Sequence, residues 1–206
     1  IIMAKKKTIR SIPQTRTPMK EQDPLVRAKN FEEVSCGYSS LDAARESERC
    51  LDCPDQPCVS GCPVGINIPG FIQKINEKNL RGAYDILTDT NLLPAVCGRV
   101  CPQENQCEGV CTVGESLEAV AIGRLERFVG DTAIREGWVN IPYIEPNRFK
   151  VGIIGSGPAG MACAADMAKA GCDVTVYEAF HVPGGVLRYG IPDFRLPNTI
   201  IDAEIE

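Results

Sequence analysis

Cys50-Leu51-Asp52-Cys53-Pro54-Asp55-Gln56-Pro57-Cys58-Val59-Ser60-Gly61-Cys62-Pro63 is the stretch on which the reading of this chain turns. It has the spacing C-x2-C-x4-C-x3-C-P. A second run, Cys97, Cys101, Cys107 and Cys111, reads C-x3-C-P-x4-C-x3-C. Eight of the 11 cysteines fall in these two runs, a density that ordinary buried cysteines do not reach. A thiolate is a soft ligand, so four on a short segment suit an iron–sulfur cluster or zinc. Structural zinc favours two C-x2-C knuckles with a wider gap, and the first run has only one. The C-P ending matches the iron–sulfur pattern in which the fourth cysteine serves a different cluster from the first three. Spacing alone suggests two self-contained quartets.

The rest of the composition is compatible with that chemistry. His181 is the lone histidine, which argues against histidine-rich zinc sites. The N-terminus lacks the apolar core of a signal peptide, and no apolar run approaches membrane-spanning length. Cysteines without an export signal point to a reducing cytoplasm, where they bind metal rather than pair as disulfides. Net charge is −5, unevenly placed. Lys5, Lys6, Lys7, Arg10, Arg16 and Lys20 give residues 1–20 a charge of +6 with no acid, leaving −11 on the remainder. The arm reads as a solvated tail, or as a docking segment for an acidic partner. Nucleic-acid binding is disfavoured because no aromatic residues interleave the charges and the body is acidic.

Residues 1–30 read as an extended arm, with Pro13, Pro18 and Pro24 opposing helix. Residues 31–137 read as a helical domain. One helix is capped by Ser39 or Ser40 and runs to Ser47; another opens at Asn67 or Pro69 with Phe71, Ile72 and Ile75 on one face. A third spans Arg81 to Leu87, and an amphipathic stretch runs from Leu117 to Arg135. Gly61, Gly65, Gly98 and Gly109 could turn backbone N–H groups toward sulfides. Arg49, Arg99, Arg124 and Arg127 either offset cluster charge or sit solvated at the surface. Residues 138–149, with Pro142 and Pro146, read as a linker.

From residue 150 the period changes. Lys150–Ile154 reads as a buried strand, Pro158–Ala170 as a small-residue helix with Cys163 buried in packing, and Asp173–Tyr177 as a second strand. Between strand and helix stand Gly155, Ser156, Gly157, Pro158, Ala159 and Gly160, a G-x-G-x-x-G fingerprint. Glu178 follows Gly155 by 23 residues, near the spacing of about 20 for a ribose-binding acid. Gly155 makes the tight turn, Gly157 admits a pyrophosphate, and Gly160 lets helix and strand pack closely. The helix N-terminus offers free N–H groups to the anion. An acid at Glu178 argues against a 2′-phosphate. Gly184-Gly185 permits a further close backbone approach to a cofactor. Another helix begins at Asn198. Two strands fall short of a βαβαβ half, so the 206 residues read as part of a longer protein or as a chain completed by a partner.

With both motifs in this order, the chain resembles the iron–sulfur flavoprotein family. That family includes the glutamate synthase small subunit, the large subunit of NADH-dependent ferredoxin:NADP oxidoreductase, and the N-terminal region of dihydropyrimidine dehydrogenase. The resemblance runs from about Arg16 to Glu206. It is densest in CLDCPDQPCVSGCPVGINIPGFI, CGRVCPQENQCEGVC, AIGRLERF, IGSGPAGMACA and GGVLRYGIPDFRLP, and the CPVGINIPGFI wording is nearer the ferredoxin:NADP oxidoreductase branch. It implies an all-helical domain with two [4Fe–4S] clusters, followed by the start of a Rossmann-like FAD-binding domain, an α plus α/β chain. It also implies crossed ligation, with Cys50, Cys53, Cys58 and Cys111 on one cluster. Cys62, Cys101 and Cys107 would hold the other, completed by Glu126, with Cys97 a neighbour. FAD would lie on the glycine turn, with Glu178 at the ribose and Gly185, Val186 and Arg195 along the flavin. NAD(P)H would bind a domain outside these residues, and electrons would leave to other redox subunits or to ferredoxin.

Overall fold

The computed structural model describes residues 8–140 and 143–205. Lys5, Lys6, Lys7, Pro142 and Glu206, to which the readings of the arm, the linker and the last helix extend, lie outside them. The chain divides into two compact units. The first holds residues 8–23 and Ser35–Trp138; the second holds Pro24–Val34 and residues 139–205. The break after Trp138 falls at the start of the linker expected at 138–149, whereas the boundary expected at 30 is not where the units divide. The segment after Pro24 belongs with the C-terminal residues, where the Val34 N–H donates to the Phe194 carbonyl at 3.0 Å.

In the first unit, α1 (Ser40–Ser47) starts at a capping box in which Ser39 and Asp42 satisfy each other's backbone N–H groups. After the one-turn α2 (Pro57–Gly61), α3 (Ile68–Asn76) begins where the Asn67 side chain accepts from Gly70 N–H at 3.0 Å. It buries Phe71, Ile72 and Ile75, the face the spacing predicts. Asn79 caps α4 (Leu80–Thr90) in the same way. The short α5 (Pro94–Val100), which sequence periodicity misses, carries Cys97. The last helix, α6 (Ile122–Glu136), starts five residues later than its apolar pattern suggests and ends on Gly137 at φ +65°.

Helices α5 and α6 meet backbone to backbone. A Cβ placed on Gly98 would stand 2.5 Å from the Arg127 nitrogen, and one on Gly130 would stand 2.6 Å from the Ala95 nitrogen. This contact brings the cysteine-bearing α5 against the helix that carries Glu126. Gly98→Ala has no room to relax, because its obstacle is main chain. We expect a loss of about 1–3 kcal/mol in urea unfolding; an unchanged midpoint would disprove the close-packing role.

The arm is no free tail over its described part. Ile12 and Thr17 are buried, and the Tyr38 hydroxyl donates to the Thr17 carbonyl at 2.6 Å. Arg16 is spent on the Glu108 carboxylate and on the Ala119 and Val120 carbonyls. Its partners lie some ninety residues away or more, beyond the reach of local pattern.

In the second unit, β1 (Lys150–Ile154) and β2 (Asp173–Tyr177) pair in parallel, in register from Lys150↔Asp173 to Ile154↔Tyr177. The crossover is α7 (Pro158–Lys169). The strands are not the fully buried runs expected. Val151, Ile153, Val174 and Val176 are buried or half-buried, whereas Gly152, Thr175, Tyr177 and the 93 % exposed Ile154 form an open face. Cys163 is likewise exposed rather than packed away. Two short helices, α8 (Val186–Tyr189) and α9 (Asn198–Ile205), follow, with Leu187, Leu196 and Ile201 buried.

Candidate functional site

Cys50, Cys53, Cys58 and Cys111 line one small cavity, with apolar side chains such as Leu51, Ile68, Ile72 and Val120 beside them. Three come from the first run and one from the second, so the two runs are not self-contained. Cys50 follows the end of α1. The loop then turns through two non-glycine residues in the left-handed region, Asp52 at φ +52° and Gln56 at φ +44°. Such strain persists only where the surroundings over-determine it. Gln56 opens α2, which presents Cys58. Cys111 precedes the 3₁₀ turn Thr112–Glu115, and the Cys53 sulfur contacts the Thr112 hydroxyl at 3.5 Å. Burial pushes the Cys58 thiol up to about 12, with further contributions from Cys50, Cys111 and Cys53.

Four thiolates around an apolar cavity would be costly without a cation to neutralise them, and a set of four cysteines suits an iron–sulfur cluster. Among the described residues, no three His, Cys, Asp or Glu side chains converge on a single ion position. A four-iron cluster takes one thiolate on each iron, and so needs a wider ring of sulfurs than a mononuclear site.

The second expected set is Cys62, Cys101, Cys107 and Glu126. Burial, followed by Glu108, Glu126 and Cys62, pushes the buried Cys107 thiol up to about 12. A hydrogen bond with Cys97 brings the Cys101 thiol down to about 7. Glu126 is 5 % exposed on α6, and its Oε1 accepts from Asn91 Nδ2 at 2.6 Å. Cys62 and Glu126 each lie near enough to Cys107 to raise its thiol, while Cys97 stands beside Cys101. Sequence reading misses Asn91, which follows the polar run Thr88-Asp89-Thr90 and has no mark of its own.

The arginines fit neither sequence reading. Arg49 is fully buried and bound to Glu46 at 2.8 Å. Arg99 grips both oxygens of Asp131, Arg127 reaches Asp131 and the Ser35 carbonyl, and Arg124 donates to the Thr17 carbonyl. They tie backbone segments together. Of the four glycines expected to turn N–H groups inward, only Gly65 has positive φ; Gly61, Gly98 and Gly109 permit close packing.

In the second unit, Gly155 adopts φ +96° and its N–H donates to Tyr177 O at 2.7 Å, closing the strand ends. Gly157 is the N-cap of α7, with Pro158 at its start and Ala159 behind. The Glu178 carboxylate accepts from Ser156 N–H and Phe180 N–H, both at 2.9 Å, and from the Ser156 hydroxyl. The Phe180 N–H, then Ser156, hold it down to about 2. Gly184 N–H donates to the Ser156 carbonyl and hydroxyl, laying the Gly184-Gly185 loop on the glycine turn. Val186 heads α8, and Arg195 is exposed, with its N–H closing a turn on Pro192.

The profile of the dihydropyrimidine dehydrogenase domain II, 4Fe-4S cluster family matches residues 27–138, and that of the NAD(P)-binding Rossmann-like domain matches residues 153–198. The fold is thus that of a helical iron–sulfur domain followed by the start of a Rossmann-like NAD(P)-binding one. The chain belongs to the dihydropyrimidine dehydrogenase domain II, 4Fe-4S cluster family. It is 41 % identical over 187 residues to the glutamate synthase [NADPH] small chain of Halomonas elongata, covering 88 % of this chain and 40 % of that one. It is 42 % identical over 175 residues to the NAD-dependent dihydropyrimidine dehydrogenase subunit PreT of Escherichia coli, covering 85 % and 42 %. The glutamate synthase [NADPH] small chain of Azospirillum brasilense is 38 % identical over 184 residues, covering 87 % and 38 %. The chain spans about two fifths of the length of these relatives. No helix among the described residues is long and apolar enough to cross a membrane.

Proposed function

We propose that this chain is the iron–sulfur flavoprotein segment of an NAD(P)H-dependent oxidoreductase, serving electron transfer between a reduced flavin and a partner redox subunit or ferredoxin. Cys50, Cys53, Cys58 and Cys111 hold one [4Fe–4S] cluster. Cys62, Cys101, Cys107 and Glu126 hold the second. The glycine turn and Glu178 bind FAD. Bound clusters carry single electrons, and a bound flavin exchanges electron pairs with a nicotinamide. The cavity walled by cysteines from both runs is the observation that carries the reading. Its apolar wall keeps water off the sulfurs, which tunes the potential of whatever they hold.

The matched dinucleotide profile is described by NAD(P), whereas the family resemblance points to FAD at this turn. The two cofactors share the adenosine diphosphate half that a G-x-G-x-x-G turn and a strand-end acid recognise. Glu178 is suited to accept from ribose hydroxyls. Its depressed value keeps the carboxylate ionised from neutral pH down, with the contribution lost only as pH falls through about 2.

Anaerobic purification with iron, sulfide and flavin quantified tests the reading. The protein is expected to carry both iron and flavin, and Cys58→Ser to lose about half the iron. Zinc without iron, or a colourless folded protein, would overturn it. A second reading, the small chain of a glutamate synthase, is favoured by the 41 % identity to that protein of Halomonas elongata. Glutamine-dependent NAD(P)H oxidation with a glutaminase partner would select it; ferredoxin-coupled transhydrogenation would select the ferredoxin:NADP oxidoreductase branch.

A further inference from the structure

Asn91 is the first residue beyond α4 and is 5 % exposed. A buried amide must place both its donor and its acceptor. Its Nδ2 donates to Glu126 Oε1 at 2.6 Å, and its Oδ1 accepts from the Leu93 N–H at 3.0 Å and from the Cys97 thiol at 3.4 Å. This orientation has no alternative. A carboxylate only accepts and a backbone N–H only donates, so turning the amide over would set donor against donor and acceptor against acceptor. The amide therefore joins the two side chains that compete to complete the second set of ligands. Both are delivered by the α5–α6 contact at Gly98, so they stand close whichever one binds.

We propose that Asn91 is the positioning residue that assigns the fourth ligand of the second cluster. Its N–H group holds the Glu126 carboxylate on the side of Cys107, while its carbonyl oxygen keeps the Cys97 sulfur turned toward the amide. A bond from a neutral donor to a carboxylate is among the stronger hydrogen bonds, and burial sharpens it. Glu126 has three rotatable bonds, and the bond from Asn91 fixes the direction of one carboxylate oxygen. This inference rests on the reading that the second set holds a cluster.

The test uses the full-length protein, purified anaerobically, as wild type, Cys97→Ser, Asn91→Leu, Asn91→Asp and the double variant Asn91→Leu/Cys97→Ser. Iron per chain and the electron paramagnetic resonance spectrum of the reduced protein are recorded. Cys97→Ser is expected to keep wild-type iron and spectrum. Asn91→Leu removes both amide contacts at similar volume, so Cys97 is released to bind in place of Glu126. The signal and midpoint potential of one cluster should shift while iron is retained. The double variant should lose about half its iron. Asn91→Asp keeps the acceptor but sets a second carboxylate against Glu126, and should move the same signal; it serves where Asn91→Leu fails to fold by circular dichroism. Loss of about half the iron in Cys97→Ser alone would make Cys97 the ligand and overturn the proposal. So would Asn91 variants with an unaltered spectrum. Wild-type protein without iron would instead end the underlying reading.

Discussion

An Arg49→Met variant is expected to lose about 3–5 kcal/mol of folding stability, read as a lowered midpoint in urea, and to retain less iron. Arg49 and Glu46 are both completely buried and lie one turn apart, spanning the end of α1. The guanidinium donates to the Pro13 carbonyl at 3.1 Å, to Ala119 O at 3.2 Å and to Glu118 O at 2.5 Å. Glu46 accepts from Thr17 N–H at 2.6 Å and Ala121 N–H at 2.9 Å. The pair therefore knits three separate backbone segments: the N-terminal strap, the start of the Cys50 loop and the lead into α6. Removing the arginine leaves a carboxylate buried without its counter-charge and takes the guanidinium donor from the Pro13 and Glu118 carbonyls, while Ala119 O keeps Arg16. Since a domain's whole stability is about 5–15 kcal/mol, the loss is a large share. The double variant Glu46→Leu/Arg49→Met separates two accounts. An isolated buried pair can often be replaced by apolar groups at little cost. Here the orphaned Thr17 and Ala121 N–H groups remain, so the double variant is expected to recover only part of the loss. Full recovery would mean that the pair serves only itself, and an Arg49→Met midpoint at the wild-type value would refute the knitting role altogether.

The same network explains where sequence reading stops. Helix caps at Ser39 and Asn67, the 3.6-residue spacing of Phe71, Ile72 and Ile75, and the strand–glycine turn–helix order after Lys150 are local patterns, and the structure places each where the pattern puts it. The arm is misread because its bases look solvated along the chain, while Arg16 is paired with Glu108 and with carbonyls near Val120. Helix α6 starts late for a related reason. The carbonyls of Glu118 and Ala119 are drawn outward to Arg49, so Leu117–Ala121 cannot coil despite an apolar rhythm. At the sites, spacing marks the cysteines as candidate ligands but not which of them meet. Cys111 joins Cys50, Cys53 and Cys58 only because the second run folds back over the first. Asn91 carries no signature of its role, since its partners Glu126 and Cys97 become neighbours through glycine-to-backbone packing that composition does not reveal.

Gly160→Ala is expected to strip the dinucleotide while leaving the iron in place. A Cβ on Gly160 would run into the Gly155 carbonyl oxygen and stand 3.1 Å from its carbon. Gly155 cannot withdraw, because its N–H is bonded to Tyr177 at the strand ends and its φ of +96° already defines the turn. Either the turn deforms or α7 tilts away from β1, and both move the N–H groups that would meet a pyrophosphate. If the bound state bears the whole overpacking cost of about 1–3 kcal/mol, the affinity is about fivefold to 150-fold weaker, measured by flavin titration with iron assayed alongside. Gly157→Ala supplies the contrast. Its Cβ meets nothing nearer than the Gly185 Cα at 3.9 Å, an ordinary contact, so the protein should melt as the wild type does. Yet that methyl group would occupy the space through which the backbone approaches a phosphate. Binding should therefore fall without any loss of stability. A Gly157→Ala protein that holds its flavin as tightly as the wild type would show that the pyrophosphate does not lie on this turn, and the glycines would then be serving helix–strand packing alone.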